Sequence, residues 1–149
     1  MTEPIMIRGR PPKSSVMALL LSHGLPVSDI TDEHLEHFFF IGPDASPTGL
    51  VGVEMYGTEA LLRSLVVAEA ARTRGIGSAL VQHAEGYACA RRIGTMYLLT
   101  TTAESFFDRL GYERIERSQA PRSIERTREF ASLCPASSAF MIKRLQPDR

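Results

Sequence analysis

The chain has 149 residues, 44% of them hydrophobic, which is enough for one globular domain whose core needs no disulfide or metal staple. Lys plus Arg and Asp plus Glu both number 17, so there is no basic surplus and no reason to expect nucleic acid as a partner. Two cysteines without metal-ligand spacing point to a reducing cytoplasm; no apolar run has membrane-spanning length, and the N-terminus lacks the order of a signal peptide.

Residues 4–10 predict a short strand ended by Pro11 and Pro12, and residues 13–24 a helix capped by Ser14 or Ser15 and stopped by Gly24. Residues 29–35 are ambiguous. Residues 36–42 and 48–57, rich in β-formers around PDASP, predict a hairpin, and 59–68 is the most strand-like run of the chain. From Gly75 to Arg92, Ile76, Leu80, Val81, Ala84, Tyr87 and Ala88 recur at three- and four-residue steps, the stripe of a helix packed on a sheet. A strand at 95–101, a helix at 103–111, a strand at 112–117, a helix at 122–133 and a last strand at 137–145 complete the chain. Hairpins followed by alternating strands and helices give an α+β (mixed α/β) class, one domain over residues 1–149.

The segment RTRGIGSAL, residues 72–80, lies between the strand-like run and the helical stripe. Glycines there allow positive φ and close approach of a ligand to the backbone, and helix N-terminal amides attract anions. A P-loop needs a Lys-Ser/Thr pair after its last glycine, but Ser78 and Ala79 follow Gly77. A dinucleotide fingerprint needs a third glycine and a later acid; Leu80 and the pair Arg91, Arg92 stand in those places. What remains is Arg-x-x-Gly-x-Gly (Arg72, Thr73, Arg74, Gly75, Ile76, Gly77), either a pyrophosphate cradle helped by its two arginines or a turn capping an ordinary helix.

With LLRSLVV before this loop and AESFFDRLGY after the next strand, the chain resembles the GNAT (GCN5-related N-acetyltransferase) superfamily. The resemblance covers residues 48–145 well and 1–47 loosely. It implies a mixed central sheet flanked by helices, with strands splayed at an acetyl-CoA cleft. It implies cofactor contacts from Leu65, Val66, Val67, Arg72, Thr73, Arg74, Gly75, Ile76, Gly77, Ser78, Thr101, Phe106 and Phe107. The Leu65 amide would polarise the thioester for direct attack by an amine through a tetrahedral intermediate. Leu61 stands where many members carry a glutamate base, and Phe107 where they carry a tyrosine acid. Glu54, acting through water, is the substitute base, unless it is an ordinary strand glutamate.

The run LLTTTAESFFDRLGY is also similar to the acetyltransferase part of N-acetylglutamate synthases. Together with LLRSLVV and LCPASSAFM it is most similar to GNAT enzymes associated with arsenic resistance. Both imply a small amine substrate, an amino acid or a toxic analogue of one, with Arg63, Ser64 and Ser137 as substrate-binding residues. Strand alternation sets Leu61, Arg63 and Leu65 on one face, from which Arg63 would clamp a carboxylate. A peptide acetyltransferase and a non-catalytic acyl-CoA sensor stay open as alternatives, and a homodimer is the candidate assembly.

His34 and His37, three apart, are read as surface residues, and no metal site is expected. Cys89 and Cys134 are read as buried and inert. Arg122, Arg126 and Arg128, balanced by Glu125 and Glu129, are read as mostly a solvated helix face.

Overall fold

The computed structural model describes residues 6–72, 75–134 and 137–145. The chain divides into two compact units, one made of Met1–Val53 with Ser64–Gly86, the other of Glu54–Arg63 with Tyr87–Arg149. Seven strands are hydrogen-bonded in the order β1-β2-β3-β4-β5-β7-β6, a mixed and open sheet in an α+β chain.

In the first unit β1 (Arg8–Gly9) pairs antiparallel with β2 (Phe38–Ile41), and β2 with β3 (Gly49–Tyr56), from Phe38↔Gly52 to Ile41↔Gly49. The predicted hairpin is therefore present. Of the strand predicted at residues 4–10, residues 4 and 5 lie outside the described residues, and among the described ones only Arg8–Gly9 is strand. Helix α1 (Lys13–Ser22) starts from Pro12, whose φ of −60° suits a helix entry, and not from a serine cap. The Ser15 hydroxyl instead donates to the Asp44 carbonyl at 2.6 Å. The ambiguous stretch resolves as α2 (Asp32–Leu35), whose capping box joins Thr31 to His34. Val16, Leu20, Ile30, Leu35, Phe38, Phe40 and Leu50 form this unit's core.

β4 (Glu59–Val67) begins in the second unit and ends in the first. The left-handed φ of Ser64, +59°, interrupts its pleat as a bulge does. The two-residue alternation that set Arg63 and Leu65 on one face does not run unbroken through it. α3 (Ile76–Ala90) follows a short turn at Glu69–Ala71 and buries Ile76, Leu80, Val81, Ala84 and Ala88 from its predicted stripe. Gly49 admits this helix: a Cβ there would stand 3.0 Å from Leu80 Cδ1 and 3.2 Å from Ile76 Cγ2.

In the second unit β4 runs parallel to β5 (Thr95–Thr100) from Glu59↔Thr95 to Leu62↔Leu98. β5 pairs antiparallel with β7 (Ala139–Arg144), and β7 with β6 (Glu113–Ile115), which follows α4 (Glu104–Arg109). Leu61, Tyr97, Ile124 and Phe140 form the core, with the Tyr97 and Phe140 rings stacked at 5.5 Å. The predicted helix at 122–133 is split into α5 (Arg122–Glu125) and a π-helical turn at Glu129–Leu133. Thr127 is the cause in local chemistry. Its hydroxyl donates to the Ile124 carbonyl at 2.8 Å and accepts from the Phe130 amide at 3.2 Å, displacing regular helix bonds. Among the described residues no helix is long and apolar enough to cross a membrane.

Candidate functional site

The loop after β4 belongs wholly to the first unit. Thr73 and Arg74 lie outside the described residues. Gly75 has φ +73° and open space where a Cβ would project, so its glycine is required by conformation and not by crowding. The Ala79 amide donates to the Gly75 carbonyl at 3.0 Å, the first bond of α3. The amides of Ile76, Gly77 and Ser78 therefore precede every intrahelical acceptor, and no acidic residue stands in that turn. This is the composition of an anion cradle: three donors, the positive end of a 15-residue helix and no competing carboxylate. Arg72 is exposed, and its Nε donates to the Val67 carbonyl at 3.1 Å, tying the loop to the end of β4. Along that end Val66 is buried while Ser64, Leu65 and Val67 are half-buried.

In the second unit Glu54, on β3, and Arg63, on β4, meet far from water. Arg63 Nη1 lies 2.7 Å from Glu54 Oε2, and Nη2 lies 3.0 Å from Glu129 Oε1. The three residues are buried, with Glu54 6%, Arg63 3% and Glu129 6% exposed. Tyr56 donates its hydroxyl to Glu54 Oε1, and the Cys134 thiol donates to Glu129 Oε2 at 3.1 Å. Burial pushes the Cys134 thiol up to about 12, helped by the negative charge of Glu129 and the hydrogen bond to it. The guanidinium expected to face a substrate is thus enclosed by two carboxylates, and both oxygens of the expected base, Glu54, are engaged. Glu129, expected on a solvated face, is instead the third member of this buried network; Arg122, Glu125, Arg126 and Arg128 are exposed as expected. Cys89 and Cys134 are half-buried, not fully buried.

The other expected site residues are spread over this unit. Thr101 is exposed just past β5, Phe106 is half-buried, and Ser137 is exposed before β7. Phe107 is 5% exposed and packs edge-on to Phe106 at 5.1 Å and to Tyr112 at 5.6 Å. The sequence gives no sign that Tyr56, Glu129 and Cys134 belong to one network, because the ion pair that gathers them, Arg63 with Glu129, joins residues far apart in the chain. Among the described residues no group of three metal-ligating side chains gathers.

Comparison with known proteins adds to this geometry. The family described as acetyltransferase (GNAT) domain matches residues 34–114. An uncharacterized N-acetyltransferase of Chlorobaculum tepidum is 34% identical over 95 residues, 63% of this chain and 61% of that protein. The N-acetylglutamate synthase of Neisseria gonorrhoeae, solved with coenzyme A and N-acetyl-glutamate, superposes with a TM-score of 0.81 at 17% identity. That likeness covers 98% of this chain but 36% of the synthase, so this chain spans about a third of it. A Mycobacterium tuberculosis protein solved with CoA gives a TM-score of 0.75 at 20% identity over 95% of this chain and 99% of that one.

Proposed function

This chain belongs to the acetyltransferase (GNAT) family, and from that premise we propose that it transfers an acetyl group from acetyl-CoA to the amine of a small, amino-acid-like molecule. The observation that carries the reading is the start of α3: three amides without intrahelical acceptors, behind a left-handed Gly75 and beside Arg72. These groups fit a pyrophosphate. When bound, acetyl-CoA supplies an activated thioester. The loop amides and Arg72 hold its phosphates, and the extended backbone of Leu65 to Val67 offers donors and acceptors to the pantetheine arm. The Leu65 amide would be the donor that stabilises negative charge on the thioester oxygen of the bound cofactor. Glu54 acts here as an anchor for Arg63 and Tyr56, so the proton of the acceptor ammonium would pass to water, and the coenzyme A thiolate released as the C–S bond breaks would take its proton from water.

The gonococcal neighbour was solved with N-acetyl-glutamate, which supports an amino-acid acceptor, and a toxic amino-acid analogue belongs to the same chemical class. Neither cysteine forms a disulfide, which supports a reducing, cytoplasmic setting. Thiol release from acetyl-CoA tests the reading with amino acids, their decarboxylated amines and short peptides as acceptors. Turnover of amino acids supports it. Turnover of peptides alone makes the protein a peptide acetyltransferase, and binding of acetyl-CoA without any turnover makes it a sensor.

A further inference from the structure

Among the described residues three positions other than glycine are left-handed: Arg10, Ser64 and Arg92. Two of them lie between elements. Arg10 turns the chain from β1 toward α1, and Arg92 closes α3, with its amide on the Cys89 carbonyl and the Ile93 amide on that of Ala88, the pairing that ends helices on a left-handed residue. Ser64 lies inside a nine-residue strand instead. A Cβ resists that conformation, and such strain lasts only where the surroundings fix the chain on both sides.

Both sides are fixed here. Two residues beyond Ser64, Val66 is 6% exposed. Just before Ser64, Arg63 has a fully buried side chain whose Nη1 is held by Glu54 and whose Nη2 is held by Glu129. One contact would leave so long a side chain free to swing about its stem. Two contacts on a planar, rigid guanidinium fix its plane and with it the place of the Arg63 Cα. The carboxylates are themselves held: Glu54 accepts from Tyr56, and Glu129 accepts from the Cys134 thiol while its carbonyl accepts the Cys134 amide at 2.9 Å. Glu129 also opens the π-helical turn, a departure from the α-helix that recurs at functional positions.

We propose that Glu129 is a positioning residue: with Glu54 it pins Arg63, the pinned Arg63 holds the left-handed turn at Ser64, and that turn aims the amide of Leu65. The use of that amide in catalysis rests on the acetyl-transfer reading; the clamp on Ser64 does not. Apolar packing often stabilises a core as well as a buried ion network does, so stability alone leaves such a network beside a strained residue unexplained, and the geometry it enforces explains it.

Glu129→Gln keeps the shape of the side chain and removes the charge that draws Arg63. Its effect on thiol release, with acetyl-CoA and the acceptor that the wild type turns over fastest, is measured in the wild-type background and in Ser64→Gly, since glycine takes a φ near +59° without a clamp. With the turn held through Glu129, the substitution lowers kcat by about tenfold in the wild-type background and by less than about threefold in Ser64→Gly, while the affinity for coenzyme A in calorimetry is unchanged in both. Ser64→Val leaves both carboxylates in place and lowers kcat by about tenfold as well, because a β-branched residue resists the turn most; it decides the matter where Glu129→Gln fails to fold. An equal loss in both backgrounds, or full activity in Ser64→Val, overturns the proposal and leaves Glu129 a purely structural residue. If the wild type releases no thiol with any acceptor, the acetyl-transfer reading falls by itself and NMR judges the clamp. The backbone resonances of Ser64 and Leu65 then move in Glu129→Gln where the clamp exists, and their staying in place overturns it.

Discussion

Arg63 and Glu54 stand 2.7 Å apart with side-chain exposures of 0% and 5%, and the other arm of the same guanidinium reaches Glu129 at 3.0 Å. One cation here compensates two carboxylates that have left water. Taking such charges out of water is repaid only while the partners stay together, so removing the shared cation is worse than never having built the pair. Arg63→Ala is expected to cost about 3–5 kcal/mol of stability, read by urea denaturation. Arg63→Lys recovers part of this, because an ammonium keeps the charge but loses the fork that spans both carboxylates. An alanine variant with wild-type stability, slowed only toward carboxylate-bearing acceptors, would return Arg63 to the role of substrate clamp.

The loop carries a separate expectation. Gly77→Glu sets a carboxylate among the first amides of α3, where it competes with a pyrophosphate yet suits the helix dipole. Affinity for acetyl-CoA should fall by at least about a hundredfold in calorimetry while the melting temperature hardly moves. Unchanged affinity removes the loop from the cofactor site.

Gly52 and Phe38 face each other in the β2–β3 pairing, and a Cβ on Gly52 would collide with Cε1 and Cζ of the Phe38 ring. The ring is fully buried and has nowhere to retreat. Gly52→Ala is expected to destabilise by about 1–3 kcal/mol through overpacking. Shrinking the ring in a Gly52→Ala, Phe38→Leu double variant should relieve part of that strain, so strictly additive losses in denaturation would contradict the contact.

Cys134 gives a pH dependence whose sign follows from its thiol being pushed up from 9.0 to about 12. The fold favours the neutral thiol, so the stability this brings is complete below about pH 9 and is lost as pH climbs through about 12. Cys134→Ala should flatten the alkaline fall of the melting temperature. At pH 8 the thiol is held neutral in the fold, so alkylation by iodoacetamide should be slow in the folded protein and fast after unfolding. Rapid labelling of Cys134 in the native state would show that its thiol is not held neutral.

Local chemistry makes much of this chain legible in its residues alone. Alternation and β-branched runs locate β2 to β5, the three- and four-residue stripe locates α3, and glycine places the left-handed turn at Gly75, because each of these depends on neighbours a few positions away. The start of α3 is readable for the same reason: its free amides are consecutive in the chain. Side-chain partners are not. Glu54, Arg63, Glu129 and Cys134 carry no shared period, and Glu129 reads as one more charge on a solvated helix until tertiary folding turns it onto Arg63. Ser64 shows the limit on a strand: its φ of +59° interrupts an alternation that the residues themselves continue. Backbone conformation is set largely by local sterics and hydrogen bonding, whereas which charge neutralises which is decided by burial, and burial exists only once distant strands have closed over it.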